Sequence, residues 1–401
     1  AAAIGAAREG SKVMLIEKNS YLGGMATSGL VNPFMAYCVW TGNWQYDWRR
    51  IVNAGIFGEI VLRLDEMGGL ADYITFNEEI MKIVLDKLVK ENGIDILFNS
   101  TICDASKLQD AINDITIHNK SGFSKIYGAY YVDASGDADL AFLVGCEYEI
   151  GRKEDGLCQP MTLCFRIADI DIEKVDNNLI QKKYLEYKEK KFIKNPREDV
   201  LIFSNMINGV LHFNTTRIVG KSPVNAFEIS DAIVEAREQM YEMYQFLKDN
   251  IPGFEKSQLL MSANQIGVRE SRRVIGEYYL TSKDLLSAKK FEDSIARGSY
   301  PIDIHNPSGS GTTLFNIPYG DYYTIPYRSL VAKGMDNLII AGRPISADHE
   351  AHSAYRVMPI CASIGEGAGI AAGIASKGKL AFRNVDFTEI QSILTKHNGK
   401  F

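Results

Sequence analysis

The chain has 401 residues, of which 46% are hydrophobic and 23% charged, with 44 basic against 50 acidic side chains and a net charge of −6. That length exceeds what one simple core organises, so two or three packed units are expected. The acidic balance argues against nucleic acid or an anionic membrane as the main partner, and no uninterrupted apolar run approaches the roughly 20 residues that cross a bilayer.

Ala1 to Arg8 reads as a small-residue helix stopped by Gly10. Lys12 to Glu17 (KVMLIE) is an apolar run ending in an acid, the pattern of a buried parallel strand. A glycine-rich loop follows from Tyr21 to Leu30. The segment 77–92 is predicted helical: Asn77 caps it, Ile80, Ile83, Val84 and Leu88 form one face, and Gly93 stops it. Asp95 to Asn99 is then a short strand. Strand, loop, helix and strand in that order give a doubly wound α/β unit.

Ile115 to His118 and Lys125 to Val132 read as antiparallel strands about a Ser121-Gly122 turn, the second running into Asp133-Ala134-Ser135-Gly136-Asp137. From about Cys158 to Pro326 strand-like pieces (161–167, 210–214) alternate with helices (179–191, 230–250), which marks an inserted α+β domain. The lysine-rich stretch 182–197 within it reads as a solvated helix face. From Asn337 the α/β texture returns, with a strand to Ala341, a loop, and a glycine-rich helix over 358–376. The division is therefore 1–157, 158–326 and 327–401. The strands at 12–17 and 337–341 both end at a ligand-facing edge and are expected to be neighbours.

A dinucleotide site of Rossmann type needs a strand, a glycine turn at a helix N-terminus, a second strand, and an acid at its end for the ribose. Glu17 supplies the acid. Gly23-Gly24-Met25-Ala26-Thr27 lets backbone N–H groups approach a phosphate. Ala341-Gly342-Arg343 follows a second apolar strand, and Gly365, Gly367 and Gly369 line a small-residue helix. Glycine-bearing strand ends alike in texture but far apart in sequence point to one extended ligand.

Together the segments AAAIGAAREGSKVMLIEKNSYLGGMATSGLVNPF, VDASGDADLA, GVRESRRVIGEYYLT and NLIIAGRPISADHEAHSAYRVMPICASIGEGAGIAAG resemble the FAD-dependent oxidoreductases of the glutathione-reductase-like flavoprotein superfamily. The resemblance implies a doubly wound, FAD-binding Rossmann-like domain with an inserted α+β substrate domain. By that resemblance the first strand and glycine fingerprint lie upstream of Ala1. Glu17, with Lys18, would bind the adenosine ribose, and Gly23, Gly24 and Met25 would lie along the pyrophosphate and ribityl chain. Ser135, Gly136 and Asp137 would form a second strand-end contact. Gly342 and Arg343 would touch the pyrophosphate or ribityl region, and Arg356, Val357, Met358 and Gly365 would approach or follow the flavin ring.

Flavin carries hydride chemistry itself, so the protein need only place and polarise a substrate. The candidates for that work are His349, Arg356, Arg269 and Arg272, with His352, His212 and Gln159 behind them. His349 suits a proton donor. Arg269 and Arg272, if turned to the flavin, suit an anionic substrate, and otherwise join Arg273 and Glu270 in an interdomain salt network. No metal site is expected. Asn306-Pro307-Ser308-Gly309-Ser310-Gly311 lacks the preceding strand and following helix of a second dinucleotide site, so electrons are expected to pass to or from a small molecule or a partner protein. The six cysteines show no C-x-x-C or cluster spacing, which fits buried thiols in a reducing, cytoplasmic setting. The expected activity is hydride transfer between FAD and a small molecule. The rival readings are a protein that keeps the fold without FAD, and a flavoprotein in RNA modification or other non-redox chemistry.

Overall fold

The computed structural model describes residues 1–42 and 45–401. Met14–Ile16 pairs in parallel with Asp95–Leu97. Between them in sequence runs the helix Glu78–Glu91, whose N-cap Asn77 accepts from the N–H groups of Glu79 and Ile80. Gly93, at φ +66°, lets the chain turn back into the next strand. A second parallel pair joins Tyr131–Asp133 to Leu338–Ile340. An antiparallel meander of Thr101–Leu108, Ala111–Asn119 and Gly122–Ile126 lies beside them in sequence.

The strands at 12–17 and 337–341 are not neighbours, contrary to expectation. Leu338–Ile340 has both edges taken: Tyr131–Asp133 lines one, and on the other Ile339 bridges Val331 while the Ile340 N–H donates to the Leu330 carbonyl. Among the described residues Met14–Ile16 has its ladder with Asp95–Leu97 alone.

The helix Met358–Gly378 runs through the main core. By length and apolar content it matches a membrane span, but 83% of its most apolar window is buried within the protein. Its glycines let the helix Ala2–Arg8 approach backbone to backbone. A Cβ at Gly369 would fall 2.1 Å from the Ala2 carbonyl oxygen, and one at Gly5 would fall 2.9 Å from that of Glu366. Gly369→Ala is therefore expected to lower stability by about 1–3 kcal/mol through forced separation of the helices. Thermal unfolding checks this, and an unchanged Tm would show that the helices can slide apart freely.

The inserted segment carries its own sheet, ordered Ile202–Ser204, Leu211–Phe213, Phe165–Ala168, Gln258–Ser262, all antiparallel. Helices Asn177–Glu189 and Ala226–Asn250 cover one face. Phe165, Ile167 and Phe213 form a core there with Tyr184, Phe246, Leu247 and Phe254. Because side chains alternate along a strand, Arg166 and His212, opposite each other in register, lie on the other face. That face meets the nucleotide-binding half. Arg166 bonds the buried Glu78 carboxylate, which also accepts from Asn32 Nδ2 at 2.7 Å. Residues from Val274 to Ile325, which the sequence reading assigns to the inserted unit, pack instead in the core that contains Leu338–Ile340 and the helix Met358–Gly378.

Candidate active site

The glycine loop after Met14–Ile16 places Gly23 and Gly24 at φ +113° and +51°, with open space beside Gly24. Glu17 accepts from the Asn19 N–H at 2.8 Å through Oε1, which leaves Oε2 for a ribose hydroxyl. Lys18 lies near enough to Asp137 to favour its ionised form. Asp137 pairs with Arg343 Nη2 at 2.5 Å and accepts from Ser271 Oγ at 2.7 Å. Burial opposes ionisation of Asp137, but Arg343 and Ser271 prevail and hold its carboxyl below the usual range. Ser135 Oγ donates to Asp133, turning the loop so that Gly136, at φ +84°, lies against the Arg343 guanidinium. Gly342 also has positive φ, and a Cβ there would meet only Pro344 Cδ at 4.0 Å. Val357 precedes the helix beginning at Met358, and no side chain caps that helix start. Open space beside Gly24 and Gly342, a ribose-ready carboxylate and an uncapped helix N-terminus fit an extended dinucleotide with an electron-rich ring. Gly365 lies two turns inside the helix, against Ala1 and Ala2.

Beyond that helix start lies a chamber lined with cations. Arg269 Nη1 donates to the Pro160 carbonyl at 2.6 Å and bonds the Thr162 hydroxyl. Arg356 Nη2 reaches Gln159 Oε1 at 3.4 Å. Among the described residues neither guanidinium makes an ion pair. Burial, with Arg356, Arg197 and Arg217 nearby, pushes Arg269 down to about 9. Burial lowers Arg356 too, opposed by Asp303 and Tyr300. Arg269, Arg356 and His305 keep some accessible surface although burial is the main influence on their titration.

Beneath the chamber lies a second, fully buried polar cluster. Glu270, 0% exposed, accepts from His349 Nδ1 at 2.8 Å and the Gln159 N–H at 3.0 Å, and is bonded by Arg273. Arg273 also donates to the carbonyls of Ala347 and Gly151, both at 2.9 Å. The cluster fixes Gln159, whose side chain in turn touches Arg356 and the His305 N–H.

The structure thus brings Arg269, Arg356 and Gln159 together. His349 is tied to Glu270 underneath, its Nε2 buried without a partner among the described residues. Arg272 turns away: it donates to the Asp137 carbonyl, pairs with Asp139 at 3.1 Å and stacks over Phe142. His352 is buried against Tyr355. His212 is buried opposite Arg166 and pushed down to about 3 by burial. Sequence reasoning missed Tyr300, Asp303 and His305. The alternation in the segment YPIDIH, with Asp303 and His305 on one strand face, was the available signal.

Fold and glycine-bearing strand ends together fit a nucleotide-binding protein. The family model for FAD dependent oxidoreductases matches residues 1–394, and the chain belongs to that family, whose cofactor is FAD. The reading without FAD accordingly falls away. No curated protein matches the chain. Among solved structures it is similar to p-nitrophenol 4-monooxygenase from Pseudomonas putida DLL-E4, at 10% identity and TM-score 0.44 over 98% of this chain and 79% of that one. It is also similar to a geranylgeranyl bacteriochlorophyll reductase-like protein from Thermoplasma acidophilum, at 12% identity and TM-score 0.45 over 100% and 80%.

Proposed function

We propose that this enzyme exchanges a hydride between FAD and a small anionic molecule of the carboxylate class, held in the chamber by Arg269 and Arg356. The observation that carries this reading is that, among the described residues, neither guanidinium makes an ion pair, with Asp303 the nearby carboxylate and further arginines repelling them. Desolvated cations of that kind destabilise the empty site, and a planar carboxylate matches the guanidinium fork. Bound FAD supplies the two-electron chemistry. Glu17, Gly23, Gly24, Arg343 and the helix start at Val357 and Met358 hold and orient it, while the inserted sheet closes the chamber against water. The loop 306–311 is a hairpin turn between Ile302–His305 and Thr312–Phe315. The second half of the redox cycle is assigned to a small molecule or partner protein.

The test uses the FAD-loaded enzyme and oxalate as a probe anion, with chloride at matched ionic strength as control. Oxalate is expected to perturb the flavin absorption band and to raise Tm. The stabilisation should reach about 2.7 kcal/mol at a hundred times Kd. A spectrum and a Tm indifferent to oxalate would sink the anionic reading. Anaerobic reduction with candidate donors then separates substrates from mere ligands.

A further inference from the structure

His305 stands at the end of Ile302–His305, in register with Thr312 on the paired strand. Its Nδ1 lies 3.2 Å from Thr312 Oγ1. That hydroxyl has one proton, and it donates it to Glu198 Oε1 at 3.0 Å. Toward the imidazole Thr312 can therefore only accept, so the ring carries its hydrogen on Nδ1 and presents a bare lone pair at Nε2. Nε2 is 3.7 Å from Asp303 Oδ2, an oxygen that also accepts from Tyr300 OH at 2.9 Å. A carboxylate beside a bare lone pair is a poor arrangement for neutral imidazole and a good one for imidazolium. Against protonation stand burial and four guanidiniums, those of Arg269, Arg356, Arg197 and Arg217, which hold His305 well below its ordinary value. The two influences are opposed, and an anion seated on the arginines offsets the guanidinium part of the second, leaving burial against the Asp303 carboxylate and the anion's own charge.

We propose that His305 is a further catalytic residue: it takes up a proton at Nε2 as the anion binds beside Arg269 and Arg356, and passes that proton to the substrate during hydride transfer. This rests on the anionic-substrate reading above. In the reducing direction the substrate's C=X bond gains a hydride at carbon from the reduced cofactor. Its π electron pair takes the His305 proton at X, leaving the imidazole neutral and the cofactor oxidised. In the oxidising direction the X–H proton goes to neutral Nε2 as the hydride leaves carbon. Asp303 is the positioning residue that favours the charged ring, and Thr312, anchored on Glu198, fixes the tautomer.

The decisive measurement is the proton count on oxalate binding to the FAD-loaded enzyme at pH 7, by calorimetry in buffers of different ionisation enthalpy. Oxalate remains a dianion in that range, so a proton taken up belongs to the protein. The expected uptake approaches one proton per oxalate. Because the bound form holds the extra proton, affinity should weaken as pH rises, by at most about tenfold per pH unit. In His305→Gln, oxalate should still bind with uptake close to zero. Asp303→Asn, which retains the imidazole, should also lose most of the uptake, and it decides the matter if the glutamine variant does not fold. Undiminished uptake in either folded variant overturns the role of His305 while leaving the anionic reading intact. Failure of oxalate to bind the wild-type enzyme overturns both.

Discussion

Glu270→Ala is expected to destabilise the enzyme by about 3–5 kcal/mol, because it strands a buried cation. Arg273 is 2% exposed and is bonded to Glu270 inside the core. Its other close contacts are neutral carbonyls of Ala347 and Gly151, with Glu149 at 3.6 Å. Without Glu270 only the half-exposed Glu149 at 3.6 Å is left to offset its charge, His349 Nδ1 loses its partner, and the Gln159 N–H loses its acceptor. The loss should appear in chemical denaturation as a lower midpoint with an unchanged slope. Glu270→Gln, which keeps the shape and accepts hydrogen bonds without the charge, should cost less. A stability loss under about 1 kcal/mol for the alanine variant would mean that water or a rearranged Arg273 replaces the carboxylate.

Arg356→Ala should weaken oxalate binding by about 2–4 kcal/mol, or about 30- to 1,000-fold in Kd, with the flavin content and Tm of the ligand-free enzyme held or slightly improved. The second half of that expectation separates a ligand-binding arginine from a structural one. Among the described residues Arg356 makes no ion pair, and its one side-chain hydrogen bond is the long one to Gln159. Removing it relieves repulsion with Arg269 rather than breaking a support. Arg356→Lys should recover only part of the affinity, since an ammonium lacks the planar fork. A loss of flavin or a falling Tm in the alanine variant, with oxalate affinity intact, would place Arg356 in the scaffold.

Local chemistry made much of the nucleotide-binding half legible. Asn77 caps and Gly93 ends their helix because side-chain acceptors and positive φ act over a few residues. The run at 338–340 is apolar because it is buried along its whole length, whereas Met14–Ile16 and Asp95–Leu97 are only half-buried. Pairing is a different matter. Nothing in NLIIA announces that Val331 and Tyr131 occupy its two edges, because edge partners are chosen by tertiary geometry. The core boundary was misjudged for a similar reason, since Val274–Ile325 has the same mixed texture as the inserted sheet but faces the main core. At the site, Arg269 and Arg272 look alike in sequence. Three positions along a bending chain send one into the chamber and the other to Asp139. His305 gave only the alternation of Asp303 and His305 as a signal. Its tautomer depends on Thr312 across a hairpin and Glu198 from the inserted segment, which no local pattern encodes.

The pairing of Tyr131–Asp133 with Leu338–Ile340 also dictates an order of assembly. A chain emerging from the ribosome completes the sheet formed by Phe165–Ala168, Leu211–Phe213 and Gln258–Ser262 well before it reaches Leu338. Tyr131–Asp133 must wait roughly two hundred residues for its partner, and such distant contacts form slowly. Arg356, the uncapped helix start and Gly369 all lie beyond that partner strand. The inserted sheet can therefore fold early, while the cofactor edge and the chamber close together only after Leu338 has been made. Until then an open strand edge is exposed, and that interval is when a chaperone would be most needed.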